Sequence, residues 1–126
     1  VHTRILMSAS ALFLGAIGII TSFFSHEVLG FIGAAIETQT VVIVQVLGAV
    51  YLGFAFLNWY LRGFVIGGIY NRPLGVANTL HFAIVSVILV KVSLAAASAA
   101  LWGLTAFYVI FAAWFARVLF APPKMD

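Results

Sequence analysis

The sequence predicts an all-α, polytopic integral membrane four-helix bundle, with a short interfacial helix between spans one and two. Three observations lead there. Of 126 residues, 65% are hydrophobic and only 7% are charged, which leaves too few polar groups to cover a water-soluble domain of this size. The mean hydropathy is +1.23, so lipid is the expected covering solvent. The apolar residues also gather into stretches close to the ~20 residues that a helix needs to cross roughly 30 Å of hydrocarbon. With short connections these stretches use up the chain, so residues 1–126 read as a single transmembrane domain.

The first span is expected over about residues 5–24, bounded by Arg4 and by Ser25, His26 and Glu27, with no ionisable residue inside it. The next segment, HEVLGFIGAAIE at 26–37, is apolar, too short to cross, and acidic near each end. An interfacial or shallow re-entrant helix is expected there. Thr38 and Thr40 are candidate N-caps for a second span at about 41–61, which closes on NWYLR. In that run Trp59 and Tyr60 read as interface anchors and Arg62 as the stop.

Between 63 and 73 the sequence GFVIGGIYNRP combines glycines, an Asn-Arg-Pro turn and an aromatic residue. That composition predicts an ordered loop on the membrane surface. Pro73 suits a helix start, and the third span is expected at about 74–91, ending on Lys91. The small-residue stretch SLAAASAA at 93–100 is expected to hold the turn, and the last span to run over about 101–120.

An even number of spans puts both termini and the 63–73 loop on one face, together with Arg4, Arg62, Arg72, Arg117 and Lys124. Lys91 alone falls on the other face, beside Glu27 and Glu37. Lys and Arg bias in short loops sets orientation, so the N- and C-termini are expected to be cytoplasmic, in the inner (plasma) membrane of a cell. The same reading disposes of nucleic-acid binding. The net charge of +3 is scattered among apolar spans as topology signals and forms no basic stripe.

In lipid, helices meet where small residues allow close approach. Ser8, Ala11, Gly15, Gly18 and Ser22 form such a stripe on the first span, and Ala99, Gly103, Ala106 and Ala113 a similar one on the last. Both stripes are expected to face other helices, with bulky Phe and Leu toward lipid.

Polar residues inside spans are costly unless they are paired, hydrated or bound to a ligand. Tyr51, Ala55, Asn58 and Arg62 share one face of the second span, and Asn78 and His81 lie one turn apart on the third. Counting rise from the cytoplasmic anchors places Asn58 about 6 Å and His81 about 12 Å deep, close enough in level to meet. Tyr51, Asn58, Asn78 and His81 are thus candidate ligand-binding residues, and Tyr70 and Arg72 of the loop are expected to close the mouth. The plainer reading makes the Asn and His side chains interhelical glue, each link worth about 1 kcal/mol or less. Gln45, Ser86 and Thr105 read as packing groups, the hydroxyls bonding their own helix backbone.

Several chemistries are disfavoured. The chain has no cysteine, which removes disulfides, thiolate metal sites and thiol redox chemistry. His2, His26 and His81 fall on different levels or faces with no carboxylate at a ligand spacing, so neither a metal centre nor a bis-histidine haem is expected. No acid lies inside a span, and proton-coupled export by small four-helix transporters requires one. No phosphate loop or acyl-transfer constellation is present.

The stretch GGIYNRPLGVANTLHF at 67–82, with four spans and a short segment after the first, resembles the DoxX-like small bacterial membrane proteins. Tyr70, Asn71, Arg72, Pro73, Asn78 and His81 carry the resemblance. It implies a link to quinone-associated oxidation or to complexes with redox partners, without fixing one activity.

The sequence thus points first to a non-catalytic module that binds a lipid- or quinone-like molecule or serves as accessory subunit of a membrane complex. A pigment or haem held by His81 as an axial ligand in a larger assembly is a variant of it. The alternative is a membrane enzyme acting on a lipid-like substrate with His81 as general base, and a small transporter is the weaker third. The partners expected are the lipid bilayer and other membrane subunits.

Overall fold

The structure is a computed structural model that describes residues 2–96 and 98–121, apart from the side chain of His2. Lys124, counted above toward orientation, lies outside the described residues. The described chain is all-α, with helices α1 (His2–Phe23), α2 (Ser25–Phe31), α3 (Thr38–Tyr60), α4 (Arg72–Ala96) and α5 (Ala99–Phe120). All but α2 are long and apolar enough to cross a membrane. Large side chains such as Leu12, Ile43, Phe56, Ile84 and Ile110 are exposed along these helices, an arrangement that only an apolar solvent tolerates. The chain is a multi-pass membrane protein.

Two compact units divide the chain, residues 7–63 and residues 1–6 with 64–126. In the first, α1 meets α3 through small residues. A Cβ added to Gly18 would fall 2.9 Å from the Leu52 backbone nitrogen and 3.0 Å from the Gly48 carbonyl oxygen. One added to Gly48 would fall 2.7 Å from both the Ser22 nitrogen and Thr21 Oγ1. The two backbones touch here, so the small-residue stripe of the first span does face another helix.

The 26–37 segment is helical only in part, because α2 stops at Phe31. Gly33 adopts φ 72°, its nitrogen donates to the Gly30 carbonyl, and the Ala34 nitrogen donates to Leu29. This is a Schellman ending, which uses a residue of positive φ to satisfy the last carbonyls of the helix. α2 packs on α3, burying Ser25 and Leu29. α3 begins at Thr38, ahead of the expected start. Its N-cap is Glu37, which makes no side-chain capping bond, so the threonines do not cap it.

In the second unit, α4 and α5 form an antiparallel pair. The third span outlasts its expected end. It continues through Lys91 to Ala96, since valine, leucine and alanine propagate a helix once it is started. The expected turn at 93–100 is therefore helical at both ends, with α4 ending at Ala96 and α5 beginning at Ala99; residue 97 lies outside the described residues. Ser93 and Thr105 share a hydroxyl hydrogen bond of 2.8 Å at one end of the pair. At the other end, a Cβ on Gly75 would lie 3.2 Å from Leu119 Cδ1.

The small-residue stripe expected to pack α5 does not do so. Ala99, Gly103, Ala106 and Ala113 are exposed, and Gly103 has nothing within 4 Å of its Cβ position. α5 instead buries Thr105, Tyr108, Phe111, Phe115 and Leu119, so its bulky aromatics face α4 and its small residues face outward. Ring stacking at Phe82 explains the reversal. Its centroid lies 5.3 Å from Tyr108, 5.1 Å from Phe111 and 5.3 Å from Phe115. Such geometry gives aromatic pairs about 0.5–1.5 kcal/mol each beyond area burial.

Candidate functional site

The α4 residues 75, 78, 82, 86 and 93 recur at helical spacing and are buried, so α4 carries its polar groups along the same stripe as Phe82. Asn78 donates from Nδ2 to the Leu74 carbonyl at 3.1 Å, and Ser86 donates to Phe82 at 2.6 Å. Thr105 donates to Leu101 at 2.7 Å. These own-helix bonds satisfy groups that would otherwise be costly in an apolar medium.

His81 differs from them. It is part-buried, stands edge-on to Phe82 with centroids 5.1 Å apart, and its Nε2 lies 3.3 Å from the Tyr108 hydroxyl. The pair joins α4 to α5 at the rim of the aromatic stack. Imidazole and phenol both accept and donate hydrogen bonds, and since Tyr108 is fully buried while His81 is part-exposed, a third polar atom approaches the pair from the imidazole side. Among the described residues of this helix pair there is no carboxylate, and a histidine acting as general base lacks an orienting acid there.

Asn58 and Tyr51 lie on α3, in the other unit. Asn58 is fully buried and donates from Nδ2 to Ser10 Oγ at 3.1 Å, while the Ser10 hydroxyl donates to the Met7 carbonyl at 3.0 Å. This α1–α3 link is of the glue kind. Tyr51 is part-buried, and Gln45 is exposed, which removes its expected packing role. Arg62 lies over the Trp59 ring at 3.9 Å and donates to the Trp59 carbonyl at 2.6 Å, a cation–π arrangement suited to a helix end.

Tyr70 belongs to the loop beside α4 and α5, whereas Arg72, expected in that loop, is the first residue of α4. Tyr70 and Gly67 exchange backbone hydrogen bonds, at 2.9 Å and 3.2 Å. Arg72 Nη1 donates to the Gly68 carbonyl at 3.2 Å. Both side chains are exposed. Among the described residues no group of three or more His, Cys, Asp or Glu is placed to hold a metal.

Sequence reasoning missed Tyr108 and Ser10, the partners of His81 and Asn58. A signal for Tyr108 existed in the three- and four-residue spacing of Thr105, Tyr108, Phe111, Phe115 and Leu119, which marks one face of α5. Comparison with known proteins finds no matching family model, no matching curated protein and no matching solved structure.

Proposed function

We propose that the chain is a non-catalytic membrane module that receives the polar head of a lipid- or quinone-like molecule at the His81–Tyr108 pair, alone or as an accessory subunit of a membrane complex. One observation carries this reading. A part-buried imidazole is hydrogen-bonded at 3.3 Å to the fully buried Tyr108 phenol at the edge of an aromatic stack, so that an oxygen-bearing ring or head group would meet the imidazole, held in place by the phenol, beside an apolar wall. The intramembrane position of the pair supports it, since ionisable groups at such depth mark ligand sites. The DoxX-like pattern at 67–82 is proposed as a family relationship in keeping with a quinone-type ligand.

The orientation proposed places both termini in the cytoplasm, with the chain in the inner membrane. Arg62, Arg72 and Arg117 support it through the positive-inside bias. A reporter fused to the C-terminus is expected to be active inside the cell, and activity only outside contradicts the orientation. The functional test removes the pair by His81→Leu with Tyr108→Phe. Loss of a molecule that copurifies with the wild-type chain supports the role, and unchanged retention contradicts it.

A further inference from the structure

Residues 64–71 form a built turn. Gly67 and Gly68 adopt φ 143° and 55°, and Asn71 adopts 47°, which lets the chain reverse between Gly67 and Tyr70 in a small antiparallel bridge. Asn71 Nδ2 donates to the Val65 carbonyl at 2.7 Å, and Gly68 donates its N–H to the Leu119 carbonyl at 3.1 Å. A carbonyl left open at the end of α5 is thereby satisfied. A Cβ on Gly67 would fall 2.7 Å from the Val118 oxygen, so the turn is seated against α5, with Ile66 fully buried beneath it.

What the turn displays outward is apolar. Ile69 at its tip is 80% exposed, and Phe64 is 56% exposed. Beside the tip, the exposed Arg72 is tied by Nη1 to the Gly68 carbonyl, and among the described residues the rest of its donor fork has no further hydrogen bond. No carboxylate is present among the described residues of this unit. A guanidinium matches a phosphate with paired N–H donors. An apolar tip beside a cation, at the ends of membrane-spanning helices, matches the boundary between head groups and acyl chains.

We propose that the 64–72 segment is an anionic-lipid anchor, in which Ile69 and Phe64 enter the head-group boundary and Arg72 holds a lipid phosphate. This is independent of the His81–Tyr108 reading. Because the chain has no cysteine, Ile69→Cys carries a single nitroxide on the full-length protein. The labelled protein is reconstituted in vesicles of phosphatidylcholine, with and without phosphatidylglycerol. With phosphatidylglycerol present, the label is expected to collide more often with oxygen than with a water-soluble nickel chelate. Native mass spectrometry of the unlabelled protein is expected to show phosphatidylglycerol retained over phosphatidylcholine. That preference is expected to fall about five-fold in Arg72→Gln and to be kept only in part in Arg72→Lys, which retains the charge but not the paired donors. Water-like accessibility in both vesicles overturns the proposal, as does equal lipid preference in Arg72→Gln. Dipolar broadening that grows with protein density also overturns it, by assigning the tip to a second copy of the chain.

Discussion

Gly48→Ala is expected to destabilise the α1–α3 pair by about 1–3 kcal/mol, the usual cost of overpacking. The added Cβ would meet the Ser22 backbone nitrogen and Thr21 Oγ1 at 2.7 Å. The first of these is backbone and cannot rotate away, so the helices must separate. In lipid that separation is costly, since close approach supplies most of what holds two apolar helices together. Gly53, on the same helix, has nothing within 4 Å of its Cβ position. Gly53→Ala is therefore expected to be neutral, or to stabilise by up to about 1 kcal/mol through helix propensity. Unfolding of both variants in mixed micelles checks the contrast, and equal effects would show that α1 and α3 do not touch at Gly48.

Phe82→Ala is expected to cost about 2 kcal/mol. The same change in a water-soluble core costs about 3–5 kcal/mol, part of which is transfer out of water. That part falls away when the unfolded reference is itself in lipid, and the cavity and lost ring contacts remain. Phe82 is fully buried and touches Tyr108, Phe111 and Phe115, so its removal leaves those three rings without a common partner. Phe107→Ala, at an exposed position on the same pair, supplies the contrast and is expected to cost less than half as much. Comparable losses would mean that the stack is not what joins α4 to α5.

The spans were legible because apolar length is a strong signal, and the break at Phe24 lies just before the polar run at 25–27 while the other falls near Arg62. Helix ends were less so. α4 runs past Lys91 because a single long cation can lie along a helix and reach outward without ending it. The seam of the first span was legible, because glycine has one structural use when backbones touch. The seam of the last was not. Alanine serves equally at a contact and on a lipid face, and nothing in residue type alone said that Tyr108, Phe111 and Phe115 would turn inward. For the same reason His81 stood out in the sequence while Tyr108, one tyrosine on an aromatic-rich helix, did not.

Quantitative extraction of apolar molecules from the purified full-length chain tests the proposed role most directly. Wild type is compared with His81→Leu/Tyr108→Phe at matched helix content and monodispersity. A quinone- or lipid-like molecule is expected with the wild type, and its occupancy is expected to drop about ten-fold in the variant. That factor corresponds to about 1.4 kcal/mol, the scale of one or two net hydrogen bonds. Equal occupancy in the two proteins, or a wild type that retains no such molecule, contradicts the account.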